Sequence, residues 1–270
     1  MLIAVDDTDD PRLEPYGAVR DRDLAGREGR FVAEGEDVLR MLLTRSHLPV
    51  ESVLVSQKRV GALESLLAHV PPEVPVYVAP HGLMSGIVGF PIHRGLLAIG
   101  RRGPGRAAAE LLAGVGPAAT VLGLVGLANH DNVGGIFRNA AAFGADAVLL
   151  DGTSCDPLYR KAIRVSVGAV LVVPFARAGT AGDLLAALGS AGFEAVALSP
   201  AGAEPLSAYR RAPRTALLLG TEGPGLPPDI LARTRTVRIP MAPGFDSLNV
   251  ATASGIALHH LMLPAARPPA

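Results

Sequence analysis

Cysteine is almost missing from the chain. Cys155 stands alone among 270 residues, which excludes an intrachain disulfide and any site built from several thiolates, and fits a reducing compartment. An excess of charge of either sign is missing too. Twenty-five Lys and Arg balance 25 Asp and Glu, so no strong overall field steers the protein toward a polyanion. Charged residues are only 19% against 49% hydrophobic, a balance that excludes an intrinsically disordered chain or a coiled coil. No apolar run is long. The longest nearly apolar stretch, residues 118–128, is roughly half of the about 20 residues that cross a bilayer, and it reads as a buried strand. The start, MLIAVDDTDDPRLEP, turns acidic after five positions, the reverse of a secretory leader. A cytoplasmic protein is expected, with no membrane partner.

Glycine and proline are plentiful, at 31 and 23 residues, so many turns separate short elements and a long helical bundle is disfavoured. In the first part, residues 31–44 hold a helical face (Val38, Leu39, Met41, Leu42, Leu43) after a short apolar start. Strands at 50–56, 74–79 and 96–100 and a helix at 62–69 complete an alternating α/β pattern. RRGPGRAAAE then reads as a linker, with a boundary near Pro104. The later part alternates more clearly. Strands are expected at 119–125, 147–150, 170–173, 194–198, 215–219 and 236–239, and helices at 133–143, 160–167, 181–191, 228–232 and 250–263. Short, nearly continuous apolar strands between helices argue for a largely parallel sheet covered on both faces. Ligands of such sheets bind beyond the carboxyl ends of the strands.

Three loops lie there. In LVGLANHDNVGGIFRNAAAFGADAVLLDG, residues 124–152, Asn129, Asp131 and Asn132 suit a helix cap or a ligand contact, and the adjacent glycines 134 and 135 admit close backbone. A dinucleotide turn is the competing reading of this loop. It lacks GxGxxG, and its acidic residue for a ribose would be Asp151. In LLLGTEGPGLP, residues 217–227, Glu222 sits at the apex of a path bent by three glycines and a proline; a sharp turn with an exposed acid and a ligand cradle both fit. In VRIPMAPGFDSLNVATASGIALHHL, residues 237–261, Ser247 or Asn249 caps a helix of small residues. Ser247 has no basic neighbour to make it a nucleophile. Between the first two loops, DPLYRKAIRVSVGA brings Arg160, Lys161 and Arg164 together, either as a solvated face or as phosphate contacts.

Taken in order, NHDNVGGIFRNAAAFGA, LLGTEGPGL and IPMAPGFDSLNVATASGIAL resemble the three motifs of the SpoU/TrmH family of RNA ribose 2′-O-methyltransferases, of the SPOUT class. GREGRFVAEGEDVLRMLL and FPIHRGLLAIG are similar to that family's small substrate-binding domain. The resemblance implies an α/β protein with a mostly parallel, deeply trefoil-knotted catalytic domain at 105–270. It also implies a smaller N-terminal α/β domain at 1–104 that binds RNA behind an acidic extension. The implied cofactor is S-adenosylmethionine, held near Leu219, Gly220, Gly223, Ile239, Met241, Leu248 and Asn249; the implied catalytic set is Arg138, Asn132, Glu222, Ser247 and Asn249. A homodimer is implied, and a metal is not. Arg160 and Arg164 become candidates for RNA contact, with Arg20, Arg27 and Arg94, among others, in the first domain. Phe31 and Tyr77 read as core instead. Ribosomal RNA is favoured as the structured substrate over transfer RNA. A non-catalytic RNA-binding protein and a dinucleotide-dependent enzyme are the other readings.

Overall fold

The computed structural model describes residues 2–17, 29–89, 92 and 94–262. The chain divides into two compact units: Met1–Pro104 with Asp156–Val172, and Gly105–Cys155 with Val173–Ala270.

The first unit carries a five-stranded sheet in the order β1-β4-β3-β5-β2, made of β1 (Leu2–Ala4), β2 (Arg30–Glu34), β3 (Val50–Ser56), β4 (Val76–Ala79) and β5 (Leu96–Arg101). The sheet is mixed: β4 pairs in parallel with β1 and β3, whereas β5 runs antiparallel to β3 and β2. Helix α1 (Glu36–Thr44), a short α2 (Glu64–Leu67) and α3 (His81–Val88) accompany it. Phe31, Val32 and Ala33 are not a lead-in to the helix but a strand. Their run is buried on both faces, and Gly35, at φ 95°, turns the chain before α1 begins. Sequence reading also passed over α3, which is set between Pro80 and a left-handed Gly89. Leu54, Tyr77, Leu97 and Ile99 form the core with Leu13, Tyr16, Met84 and Ile87. Phe31 and Tyr77 are buried at 1% and 7% exposure, as the apolar pattern predicts.

The second unit has seven strands in the order β10-β12-β9-β11-β6-β7-β8, all parallel. They are β6 (Ala119–Leu124), β7 (Ala147–Leu150), β8 (Phe175–Arg177), β9 (Glu194–Leu198), β10 (Glu204–Pro205), β11 (Arg214–Leu219) and β12 (Arg235–Arg238). In chain order the remaining helices are α4 (Ala108–Ala113), α5 (His130–Phe143), α6 (Arg160–Val165, in the first unit), α7 (Ala181–Ser190), α8 (Pro228–Leu231) and α9 (Val250–Met262). Every residue of β6 and β7 is buried, as expected for a parallel sheet covered on both faces. Asn129 caps α5 by accepting the Asp131 N–H, and Gly144 ends it at φ 70°. A reciprocal Thr180–Asp183 capping box starts α7. Because the strands are parallel, the segments after β6, β9, β11 and β12 emerge on one edge.

The excursion Asp156–Val172 departs from a linear division of the chain. Asp156 pairs with Arg102, and Arg160 Nε lies 3.9 Å from the carboxylate of the buried Glu34. Residues 170–173, expected as a strand, instead hold part of a 3-10 turn, Ala169–Leu171; the strand follows as β8, which sequence reading missed. The turn is forced at Val167, whose φ of 54° is left-handed, a conformation costing a β-branched residue about 1–2 kcal/mol. Val167→Asn is expected to raise stability by up to about 1 kcal/mol, read from urea denaturation.

Candidate active site

A cavity of about 120 Å³, opening to solvent, lies at the carboxyl edge of the second sheet. Its walls come from the segments after β9, β11 and β12: Leu198, Ser199, Pro200, Leu219 to Gly223, Gly225, Ile239, Met241, Ser247 and Leu248, with Val250 and Ala253 from α9. Six candidate cofactor residues, Leu219, Gly220, Gly223, Ile239, Met241 and Leu248, therefore line one space. Asn249 is not among the lining residues. Ser199 and Pro200 are, although nothing in the sequence singled them out. Apolar walls with a few polar groups and close backbone suit an adenosyl group.

The loop after β11 folds back on itself. Gly225 N–H donates to Thr221 O at 3.1 Å, and Thr221 Oγ1 donates to Gly225 O at 3.2 Å. Gly220 sits where this return passes closest: a Cβ there would stand 2.4 Å from both Gly225 C and Leu226 N.

At the rim, three side chains from three separated motifs meet. Asn132 Nδ2 donates to Glu222 Oε1 at 2.9 Å, and Asn249 Nδ2 bridges Asn132 Oδ1 (2.8 Å) and Glu222 Oε1 (3.0 Å). Asn249 Oδ1 meanwhile caps α9, accepting from the N–H groups of Ala251 and Thr252. Asn132 is 4% exposed, so its amide needs these partners. One carboxylate oxygen thus gathers two amides and sets the angle at which α9 leaves the loop.

Arg138 is on α5, six positions after Asn132, and is exposed. It does not line the cavity, and it makes no hydrogen bond or ion pair among the described residues. Its guanidinium is available to a substrate. The candidate RNA contacts differ among themselves. Arg164 is exposed; Arg160 faces Glu34; Arg94 is exposed and lies across Gly35, whose Cβ would stand 2.8 Å from its Nη1. Arg30 and Arg101 both bind Glu51, at 2.6 and 2.9 Å. Arg20 and Arg27 lie outside the described residues.

Asp151 is buried and turned to its own loop rather than to a ribose. Its Oδ1 accepts from Gly126 N (3.1 Å), Ser154 N (2.9 Å) and Ser154 Oγ (2.6 Å), and its Oδ2 from Thr153 Oγ1 (2.6 Å). Ser154 Oγ also accepts the Leu127 N–H at 3.0 Å, so Asp151 braces the loop that leads into α5. Burial pushes its pKa up, but the hydrogen bonds from Ser154, Thr153 and Gly126 outweigh this and hold it below the ordinary carboxylate value. With a depressed folded pKa, the carboxylate's contribution to stability is complete above the unfolded value of about 3.9 and is lost as pH falls through the folded one. Asp151→Asn is therefore expected to flatten the fall in stability below about pH 4, measured by urea titration at stepped pH. Among the described residues, no group of three or more His, Cys, Asp or Glu is placed to hold a metal ion, and no helix is long and apolar enough to cross a membrane.

Fold and site together define a class. The SpoU rRNA Methylase family model matches residues 119–259. A relative from Mycobacterium bovis, named as an uncharacterized tRNA/rRNA methyltransferase, is 41% identical over 264 residues, covering 94% of this chain and 89% of the relative. The solved structure of an AdoMet-bound rRNA methyltransferase from Sinorhizobium meliloti superposes with a TM-score of 0.77 at 23% identity, covering 96% of this chain and 97% of that one. The SpoU methyltransferase AviRb from Streptomyces viridochromogenes gives 0.78 at 22% identity, over 93% and 96%. The chain belongs to the SpoU rRNA methylase family.

Proposed function

We propose that the protein methylates a ribose 2′-hydroxyl in ribosomal RNA, acting in the cytoplasm as a homodimer whose first unit selects the substrate. The observation that carries this reading is the Asn132–Glu222–Asn249 network beside the apolar cavity. It joins the three motifs at the mouth of a space suited to the cofactor.

Leu219, Gly220, Gly223, Ile239, Met241 and Leu248 would hold S-adenosylmethionine, with Asn249 at the edge of the site. The cofactor supplies an electrophilic methyl group on a sulfonium. Arg138 orients the ribose hydroxyl and the phosphate beside it, and takes part in removing the hydroxyl proton. A guanidinium is a poor base on its own, so the neighbouring phosphate has to assist. Asn132, Glu222 and Asn249 hold the rim in one geometry, and Ser247 lines the cavity next to them. Orientation and exclusion of water are the protein's main contributions.

Ribosomal RNA is favoured over transfer RNA by the naming of the Sinorhizobium meliloti neighbour, while the Mycobacterium bovis relative is named for both. A trefoil knot accords with the close passage of residues 220–226 and with cavity walls drawn from both 219–225 and 239–250. Self-association accords with where apolar surface is exposed: of the five large exposed hydrophobic residues among the described ones, Phe245, Leu248, Ile256 and Met262 lie on the motif-three loop or α9. Arg164 and Arg94 are the described candidates for phosphate contact, with Arg160 if its pairing with Glu34 opens. Calorimetry with S-adenosylmethionine tests the cofactor. Isotopic methyl transfer to separated ribosomal and transfer RNA, followed by nucleoside mass spectrometry, tests the reaction. Methylation of a base rather than a ribose overturns the assignment, and cofactor binding without transfer to either RNA favours a non-catalytic RNA-binding role.

A further inference from the structure

We propose that Asn139 is a positioning residue for this reaction: it fixes the register of α9 against α5 and thereby holds Asn249 on the Glu222 carboxylate. The inference rests on the methyltransferase reading of the site and deepens it.

Asn139 follows Asn132 by seven residues, about two turns, and so shares its face of α5. Its Nδ2 donates to the Ala251 carbonyl at 2.6 Å and to Ser254 Oγ at 2.9 Å. Ser254 is fully buried, and its Oγ donates in turn to the same Ala251 carbonyl at 2.7 Å. The amide nitrogen of Asn139 is therefore committed to the opening turns of α9, directly after Asn249. Two turns earlier on α5, Asn132 receives Asn249 itself. Between the two attachments the helices nearly touch, since a Cβ on Gly135 would stand 2.8 Å from the Ala251 Cβ.

Small residues let the helices approach, but contacts among Gly, Ala and Ser have no strong preferred position along the axis. Hydrogen bonds do, because they weaken steeply with distance and angle. A slip of α9 by one residue moves it about 1.5 Å along its axis, enough to carry Asn249 out of bonding range of Glu222 and Asn132. Asn139 supplies the directional contact that resists this slip. Its amide touches only α9 in these bonds, so its effect on the reaction runs through Asn249.

The test uses the full-length protein. Asn139→Ala removes the donor to both acceptors, and Asn139→Asp keeps the shape while setting a carboxylate against the Ala251 carbonyl. Methyl transfer at saturating RNA and cofactor is expected to slow about tenfold in Asn139→Ala and at least as much in Asn139→Asp, with cofactor affinity by calorimetry within about threefold of the parent. Ser254→Ala, which leaves the Asn139–Ala251 bond, should fall between parent and Asn139→Ala. The Asn139→Ala/Asn249→Ala double variant should be no more than about twofold slower than Asn249→Ala alone; fully multiplicative losses overturn the proposal.

A second readout needs no RNA. Amide hydrogen exchange over residues 250–254 should quicken about tenfold in Asn139→Ala while β6 is unchanged. Unchanged exchange in 250–254, or equal quickening of β6, overturns the proposal, the latter because Asn139 would then serve the fold at large. If the parent transfers no methyl group but the local exchange difference is present, the functional reading fails and the register role stands.

Discussion

An Arg138→Ala variant is expected to bind S-adenosylmethionine with an affinity within about threefold of the parent and to transfer the methyl group about 10²–10³-fold more slowly, the range for losing a group that positions a reactant and helps move its proton. The two halves of this expectation follow from one placement. Arg138 is exposed on α5 and outside the cavity lining, so the cofactor walls survive its removal. It holds no hydrogen bond or ion pair among the described residues, so stability should change by no more than about 0.5 kcal/mol. Arg138→Lys keeps the charge but loses the planar fork that grips a phosphate or hydroxyl in two places, and should recover only part of the rate. Single-turnover transfer of isotopic methyl, with calorimetry alongside, separates the effects. A rate within fivefold of the parent would remove Arg138 from the reaction.

Gly220→Ala should have the opposite signature. The added Cβ would meet backbone, Gly225 C and Leu226 N at 2.4 Å and Gly225 O at 2.7 Å, and backbone cannot swing aside as a side chain can. Relief requires the 220–226 return to open, and this return forms one wall of the cavity. Cofactor affinity is expected to fall more than about 100-fold, with a stability loss of about 1–3 kcal/mol. Gly223→Ala provides the contrast. Its φ of 86° makes alanine unfavourable, but nothing lies within 4 Å of the added atom, so the cost is about 1–2 kcal/mol of backbone strain and binding should be only modestly weakened. Comparable losses in both variants would show that loop strain, not close backbone approach, governs the site.

How far the sequence foretold this arrangement depended on whether the decisive partner was near in the chain. The strands Val50–Ser56, Ala147–Leu150 and Glu194–Leu198 were legible to the residue, because each is a short apolar run bounded by turn-forming neighbours. Residues 31–34 were not, since an apolar run leading into a helical pattern looks alike whether it pairs with Leu97–Gly100, as it does, or continues the helix. At the site, Glu222 meets Asn132 across 90 residues. Spacing alone left that glutamate as either a turn apex or a ligand group, and only the family resemblance brought the three motifs together. The arginines were hardest to read. Arg160 faces Glu34, and Arg30 and Arg101 share Glu51; a count of basic residues does not reveal that much of the local charge is answered internally.

The return of Asp156–Val172 to the first unit makes that unit's chain discontinuous. A fragment ending at Pro104 would lack the partners of Glu34 and Arg102 and the cover that Gly168 provides over Met41. The first unit also cannot be finished in the order in which it is synthesised. Residues 1–104 leave the ribosome before the segment that completes them, with β6 and β7 emerging in between, so its final packing must wait on a later stretch of chain.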